Sequence, residues 1–230
     1  MKALLLGAGL GTRLRPLTDK TPKCLVPIRG RPLLDYWFDL LLPHGIERAL
    51  VNCFYLAEQV HAHVAASPWS GRVDLIDETT LLGTGGTILA NRGYFGNQPF
   101  LVAHADNLCR FLLGDFRARH ESRPVGCALT MMTFDCDDPR SCGIVEEDAQ
   151  GVVRAFHEKV ENPPGLRANG AVYLFEPEIV DFIAALGKPV VDISTEVLPA
   201  FMGRIATWHN ADFHRDIGTP QSLRKAEADY

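Results

Sequence analysis

The first 27 residues constrain the fold of this 230-residue chain more than any other stretch. A short apolar run at 3–6 leads directly into Gly7, Gly9 and Gly11. A run of this length that is bounded by glycine is typical of a buried strand in a parallel sheet. Glycines at alternate positions let the backbone turn sharply and expose successive N–H groups to an anion. The stretch therefore predicts a strand that ends in a phosphate-binding loop.

Two common phosphate-binding motifs do not match this loop. A P-loop has the pattern Gly-x-x-x-x-Gly-Lys-Ser/Thr, and a dinucleotide-binding fold has Gly-x-Gly-x-x-Gly with an acidic residue about 20 positions later. Here Thr12 stands where the third glycine would be, and the next predicted strand, at 49–53, ends without Asp or Glu. These departures argue against an NAD-dependent oxidoreductase, which absence of nicotinamide binding would exclude.

Three segments of this stretch carry a resemblance to a known family. They are Gly-Leu-Gly-Thr-Arg-Leu at 9–14, Arg-Pro-Leu-Thr at 15–18 and Pro-Lys-Cys-Leu-Val-Pro at 22–27. The glycine loop, the arginine at position 13 and the Pro-Lys pair at 22–23 occur together at the spacing of one family. By these motifs the chain resembles the sugar-1-phosphate nucleotidylyltransferases. Later motifs of the family follow in order along essentially the whole chain. Because the chain ends at Tyr230, we expect the short, single-domain form.

Strands and helices alternate along the first half of the chain. This alternation predicts an α/β fold with a Rossmann-like, doubly wound and mostly parallel sheet. Predicted strands lie at 48–53, 73–76, 100–104, 127–134, 152–157, 171–175 and 204–208, the last of these being the final strand. Predicted helices lie at 32–42, 56–64, 82–90, 178–186 and 220–228. We expect one domain over 1–230, with a nucleotide-binding half at about 1–110 and a sugar-binding half at about 111–230.

Charge and cysteine content exclude several classes of partner. The 23 Lys and Arg residues against 28 Asp and Glu give a net charge of −5, so no general attraction to nucleic acid or to anionic membranes is expected. No run approaches the roughly 18 apolar residues that a membrane helix needs. The N-terminal apolar run is broken by glycines and followed by cations, which argues against a signal peptide. Six cysteines without a C-x-x-C pair predict reduced thiols and a cytoplasmic location.

The resemblance implies that the phosphate of a sugar 1-phosphate attacks the α-phosphorus of a nucleoside triphosphate. A nucleotide sugar and pyrophosphate are the products. By the same resemblance, Arg13 contacts the triphosphate, Lys23 lies near the α-phosphate, and the backbone of Gly9, Gly11 and Thr12 holds the other phosphates. Mg²⁺ is the implied cofactor, because it prefers a few carboxylates together with phosphate oxygens. Its implied ligands are Asp106 and Asp216, each of which lies in its own matching motif.

The base and the sugar are assigned by weaker motifs. Glu78, followed by Leu-Gly-Thr-Gly-Gly at 82–86, resembles the base-binding loop of guanylyltransferases, and Gly83 and Thr84 lie in that loop. A carboxylate can accept from both N1–H and N2–H₂ of guanine, whereas uracil and thymine offer one ring N–H donor. We therefore expect GTP with a mannose- or heptose-type sugar. A uridylyl- or thymidylyltransferase, and a regulatory subunit that binds nucleotide sugar without turnover, stay open as alternatives.

The residues that the resemblance assigns to the sugar 1-phosphate lie in the second half of the chain. The resemblance places the sugar phosphate on Lys159, a sugar hydroxyl on Glu158, and further sugar contacts on Gly143 and Asn169. An exposed ion pair and a simple turn are the competing interpretations of Glu158–Lys159 and Asn169. The sequence does not name the sugar, and it leaves open whether identical chains form an oligomer.

Overall fold

The computed structural model describes residues 1–230 and contains thirteen strands. In chain order they are β1 (Lys2–Leu6), β2 (Pro27–Ile28), β3 (Arg31–Pro32), β4 (Arg48–Cys53), β5 (Val73–Asp77), β6 (Phe100–His104), β7 (Asn107–Arg110), β8 (Leu129–Asp135), β9 (Gly143–Glu147), β10 (Val153–Glu158), β11 (Arg167–Phe175), β12 (Ile205–His209) and β13 (Phe213–Asp216). The fold class is α/β with a largely parallel central sheet, as the alternating pattern predicts.

Eight α-helices accompany the strands. They are α1 (Leu33–Leu41), α2 (Ala57–Ala66), α3 (Gly83–Ala90), α4 (Arg92–Phe95), α5 (Leu113–Glu121), α6 (Glu178–Ala185), α7 (Leu198–Ala200) and α8 (Pro220–Asp229). Three single turns of 3₁₀-helix, at Thr12–Leu14, Leu17–Asp19 and Lys23–Leu25, shape the segment between β1 and β2. None of the helices combines the length and the apolar character that a membrane span requires.

The chain divides into two compact units. The first comprises 1–81, 103–113 and 212–230, and the second comprises 82–102 and 114–211. In the first unit β1, β4 and β5 pair in parallel, with Leu5 opposite Val51 and Val51 opposite Leu75. The amide of Ala105, just after β6, donates to the carbonyl of Leu6 at 3.1 Å. The ends of these strands therefore place the segments after β1 and β6 side by side.

Helix α1 buries one face against the core of the first unit, because its apolar residues recur at helical spacing. Its buried positions are Leu33, Leu34, Trp37, Phe38 and Leu41. The indole of Trp37 donates to the carbonyl of Asn107 at 2.9 Å, so the helix is also tied to β7 by a buried hydrogen bond. This contact holds β7, and the residues just before it, against the core of the unit.

The second unit is built around β8. That strand pairs antiparallel with β11 and parallel with β12, and β9 pairs antiparallel with β10. The sequence correctly predicts β8, β10, β12 and α6, but it gives no strand at β9. The prediction that 204–208 forms the final strand is wrong, because β13 follows it. β13 has the sequence Phe-His-Arg-Asp, which lacks the apolar alternation of a half-buried strand.

Candidate active site

Lys23 lies between two aspartates that are far away in the sequence. Its ammonium group donates to Oδ2 of Asp106 at 2.7 Å and to Oδ1 of Asp216 at 3.1 Å. The antiparallel pair of β13 and β7 places Asp216 opposite Asn107, and this register brings Asp216 next to Asp106. Three residues that the sequence motifs predict to be functional therefore form one charged cluster.

Burial and charge act in opposite directions on Lys23. The residue is only 5% exposed, and burial by itself would lower the pKa of its ammonium group. The carboxylates of Asp106 and Asp216 outweigh this effect and raise the pKa of Lys23 above its ordinary value. Partial burial would raise the pKa of Asp106, but Lys23 and His104 hold it below its ordinary value. Lys23 is therefore a cation, and Asp106 a carboxylate, at neutral pH.

The loop after β1 reaches the same cluster through Gly11. Its φ of +62° is in the left-handed region that glycine adopts most readily, and a Cβ at this position would lie 2.8 Å from Cγ2 of Thr18. The hydroxyl of Thr18 donates to the carbonyl of Gly11 at 2.7 Å and fixes the turn. Thr12 and Arg13 then begin a single helical turn. Arg13 Nη2 lies 3.5 Å from Oδ2 of Asp216, and the arginine side chain stays 65% exposed.

These residues line an open cleft of about 300 Å³. Its walls are formed by Leu10, Gly11, Thr12, Arg13, Lys23, Asp106 and Gly218. The sequence analysis assigns a role to five of these seven residues but none to Leu10 or Gly218. Gly218 could have been found, because it lies two residues after Asp216 within the same motif. The cleft combines backbone amides, two cations and a carboxylate, which is a composition suited to a phosphorylated ligand.

Asn52 is a buried polar residue that contacts two predicted site residues and that the sequence motifs do not identify. It is 3% exposed, and its Oδ1 accepts from the amide of Gly7 at 2.8 Å. Its Nδ2 donates to Oε1 of Glu78 at 2.9 Å. Asn52 thus connects the start of the glycine loop to the carboxylate that the motif assigns to base recognition. Its position as a lone amide within the apolar strand β4 was the available signal.

In the second unit, the predicted base loop is packed against a neighbouring segment. Gly83 has a φ of +71°, and a Cβ there would lie 2.5 Å from the carbonyl oxygen of Val191. The hydroxyl of Thr84 accepts from the amide of Ile193 at 2.7 Å and donates to Oδ2 of Asp192 at 3.3 Å. The segment 191–193 is therefore a structural partner of this loop, and close packing is one reason for glycine at position 83.

The four residues predicted for the sugar side also meet within the second unit. Gly143 is opposite Glu158 in the β9–β10 pair, and Lys159 Nζ lies 3.0 Å from Oε1 of Glu158. β11 joins β9 where Ala168 is opposite Ile144, which places Asn169 beside Gly143. The side-chain amide of Asn169 donates to the hydroxyl of the buried Tyr173 at 2.7 Å and accepts from the amide of Ala171. Both the nitrogen and the oxygen of the Asn169 side-chain amide are therefore already hydrogen-bonded within the protein.

Comparison with known proteins gives a consistent assignment. A family model described as nucleotidyl transferase matches residues 2–230. The mannose-1-phosphate guanylyltransferase of Mycobacterium tuberculosis is 32% identical over 232 residues, which cover 99% of this chain and 64% of that protein. The chain thus spans less than two thirds of the length of this curated relative.

Solved structures agree with this assignment. HddC from Yersinia pseudotuberculosis, determined in complex with GMP-PN, superposes with a TM-score of 0.79 at 27% identity and covers 99% of this chain and 98% of its own. A protein from Bacillus anthracis, described as a putative glucose-1-phosphate thymidylyltransferase, superposes with a TM-score of 0.86. It is 19% identical and covers 99% of this chain and 94% of its own, so it supports the fold alone.

Proposed function

Since this chain belongs to the nucleotidyl transferase family, we propose that it transfers a nucleotidyl group from a nucleoside triphosphate to a sugar 1-phosphate. The observation that carries this proposal is the position of Lys23 between Asp106 and Asp216, in a cleft that the glycine loop and Arg13 also line. Such a cluster provides positive charge for phosphates and carboxylates for a metal ion within a few ångströms. The products would be a nucleotide sugar and pyrophosphate.

This reaction requires alignment of the two substrates and neutralisation of their negative charges more than it requires proton transfer. A phosphate monoester has a second pKa near 6, so the attacking sugar phosphate is largely ionised at neutral pH and needs no general base. Both substrates are anionic, and the leaving pyrophosphate carries further negative charge. The site must therefore hold mutually repelling groups in line, which positioned cations and amides can do.

Arg13 and Lys23 are the cations that we assign to this task. The exposed guanidinium of Arg13 can turn from Asp216 toward a triphosphate and make bidentate hydrogen bonds. Lys23 is held by two carboxylates and, because it is fixed in place, would neutralise the α-phosphate and the attacking phosphate. The amides of Gly9, Gly11 and Thr12 would bind the remaining phosphate oxygens, with Gly7 supporting the loop from its start.

A divalent metal ion fits the donor set at this cluster, and members of this family generally depend on one. Asp106 and Asp216 each give one carboxylate oxygen to the ammonium group of Lys23, which holds the two carboxylates close together. The other oxygens, Oδ1 of Asp106 and Oδ2 of Asp216, are those that would bind the ion. We propose Mg²⁺, which prefers a small number of carboxylates plus phosphate oxygens. When bound, Mg²⁺ would supply further positive charge to the triphosphate.

The second unit would bind the sugar. We assign Lys159 to the sugar phosphate and Glu158 to a sugar hydroxyl, since Lys159 is 63% exposed and can leave its ion pair at little cost. Gly143 and Asn169 would contribute to the same surface. Asn169 would do so chiefly by fixing the backbone, because its side-chain amide is already bonded to Tyr173 and Ala171.

For the base we propose guanine, read by Glu78 and by the loop that contains Gly83 and Thr84. The similarity to a mannose-1-phosphate guanylyltransferase and to HddC in complex with GMP-PN supports this choice. A mannose- or heptose-type sugar 1-phosphate follows as the proposed acceptor. The alternatives are a uridylyl- or thymidylyltransferase of the same class and a regulatory subunit that binds without turnover.

The cellular setting is also a proposal. All six cysteines are free thiols in the structure, which supports the cytoplasmic location proposed from the sequence. The proposed partners are small molecules only, namely the triphosphate and the sugar 1-phosphate, and an assembly of identical chains stays open. Neither nucleic acid nor a membrane is part of the proposal.

A substrate panel tests the proposal directly. Pyrophosphate release is measured with Mg²⁺ for GTP, UTP, dTTP, CTP and ATP, each combined with mannose, glucose, heptose and N-acetylated sugar 1-phosphates. Release with GTP and a mannose- or heptose-type acceptor is the expected result. Release with UTP or dTTP alone would favour the alternative base assignment. No release from any pair, with nucleotide binding still detectable by thermal shift, would favour the regulatory subunit.

A further inference from the structure

A buried cysteine, a histidine and an aspartate converge where α2 covers the ends of β4 and β5. Cys53 and Asp77 are opposite each other in the β4–β5 register, so their side chains point to the same face of the sheet. His61 on α2 reaches this face, with Nε2 2.8 Å from Oδ1 of Asp77. One potential ligand atom from each of the three residues lies within 4.8 Å of the other two.

We propose that Cys53, His61 and Asp77 form a binding site for Zn²⁺. A thiolate, an imidazole and a carboxylate are the three ligand types that zinc accepts in proteins, and zinc is commonly four-coordinate. Three protein ligands leave a fourth position, which water fills. The proposed transferase reaction uses none of the three side chains, and the zinc site does not depend on that proposal.

The burial of the three ligands suits entry of an ion from one side. The side chains of His61 and Asp77 are 45% and 58% exposed, whereas Cys53 is 2% exposed. An incoming ion would therefore meet His61 and Asp77 first and Cys53 at the inner end of the site. Rotation of His61 and Asp77 would open their direct hydrogen bond to admit the ion, at the modest cost of an exposed pair.

The electrostatics of the site favour a cation. Burial, together with the negative charges of Asp77 and Glu78, raises the pKa of the Cys53 thiol to about 12. The same two carboxylates stabilise positive charge at this position. On binding, the thiol releases its proton to solvent and forms the sulfur–zinc bond, which is the usual exchange at a zinc-bound cysteine.

Ligand type separates this site from the carboxylate pair in the cleft. Mg²⁺ is a hard cation that selects oxygen ligands, whereas a site that includes thiolate and imidazole selects zinc and related transition metals. Asp106 and Asp216 offer oxygen only. Saturating Mg²⁺ should therefore occupy the cleft and leave the site of Cys53, His61 and Asp77 free for Zn²⁺.

The test is a Zn²⁺ titration of the full chain after treatment with a chelator, in saturating Mg²⁺ and in competition with a chromophoric zinc indicator. One equivalent of zinc should bind, and Co²⁺ in its place should give a thiolate charge-transfer absorption band. Cys53→Ser and His61→Ala should each weaken zinc binding by at least about tenfold, and Cys53→Ser should abolish the band. Asp77→Asn provides an exposed, volume-conserving third variant should Cys53→Ser fold poorly.

His63 on the same helix provides the matched control. Its Nε2 lies 2.7 Å from Oδ1 of Asp35, so it forms a similar histidine–carboxylate pair without a cysteine. His63→Ala should leave both zinc affinity and the cobalt band unchanged. The proposal is overturned if no zinc binds in saturating Mg²⁺, if Cys53→Ser retains the band, or if His63→Ala weakens binding as much as His61→Ala does.

Discussion

Lys23 and Asp106 are separated by 83 positions in the chain, and the ammonium group of one lies 2.7 Å from the carboxylate of the other. Lys23 also donates to Asp216, which is a further 110 positions along the chain from Asp106. Neither aspartate is close to the lysine in sequence, so only the fold creates this cluster. The proposed catalysis depends on it, because the lysine is fixed by the same carboxylates that would hold a metal ion.

Lys23→Ala should lower turnover far more than it lowers triphosphate affinity. The variant removes a fixed cation that would act on the reacting phosphates, while Arg13 and the loop amides remain. Losing one such charge-stabilising group typically costs about 10²- to 10³-fold in kcat. Single-turnover kinetics and direct measurement of triphosphate binding check the two effects separately. Lys20→Ala, at an exposed neighbouring position, should change neither. Unchanged turnover in Lys23→Ala would remove the residue from the mechanism.

Asp216→Asn should shift the Mg²⁺ dependence of activity. The amide keeps the volume of the side chain but loses the negative charge that attracts the ion, so half-maximal activity should need about tenfold more Mg²⁺. A Mg²⁺ titration of the rate measures this directly. Asp212→Asn is the control, because it removes the negative charge of an exposed aspartate that pairs with Arg110 and does not line the cleft. An identical titration curve for Asp216→Asn and the wild type would refute the ligand assignment.

Asn52→Asp should alter the choice of base. The new carboxylate can still accept from the amide of Gly7, but it replaces the donor to Glu78 with a like charge. Glu78 should then be displaced, and the ratio of kcat/KM for GTP to that for UTP should fall by about tenfold or more. Steady-state kinetics with both triphosphates check this. Equal losses for both would indicate that Asn52 supports the fold of the loop and has no part in base selection.

Stability should fall between pH 7 and pH 5 because of His120. Burial, together with the charge of Arg123, lowers the pKa of His120 from 6.5 to about 4. The unfolded chain therefore binds a proton in this window while the folded chain does not, so protonation favours unfolding as the pH drops. The loss of unfolding free energy expected from His120 alone is about 2 kcal/mol. Urea denaturation at both pH values measures it.

A histidine variant separates this contribution from the background. In His120→Asn the loss between pH 7 and pH 5 should be smaller than in the wild type, even if the variant is less stable at both pH values. Exposed His44→Gln should retain the wild-type difference. A wild-type pH dependence in His120→Asn would show that another group causes it.

Local sequence signals predict the N-terminal elements of the first unit. The apolar run at 3–6, which glycine bounds, predicts β1, and the helical spacing of Leu33, Trp37 and Leu41 predicts α1. The motif containing Lys23 and Arg13 then identifies most of the cleft. Local patterns suffice here because strand, loop and helix follow one another along the chain.

Other features depend on contacts that no local pattern records. β13 has four residues, three of them polar, and it forms a strand because it pairs with β7. This pairing places Asp216 beside Asp106. Asn52 contacts two predicted site residues because the fold brings Gly7 and Glu78 within hydrogen-bond distance of its side-chain amide. Gly83, Gly85 and Gly86 lie in a motif that the sequence analysis assigns to base binding. Close packing against the segment at 189–191 is a second reason for glycine at these positions, and it needs no ligand.

Transfer itself is tested most directly by whether pyrophosphate release from GTP requires a sugar 1-phosphate. The wild-type chain is incubated with GTP and Mg²⁺, with and without the acceptor, and the nucleotide product is identified by mass spectrometry. We predict release only when both substrates are present, one nucleotide sugar formed per pyrophosphate, and loss of both products in Lys23→Ala. Pyrophosphate release without an acceptor, or GTP binding without any product across the panel of acceptors, would contradict the proposed transferase.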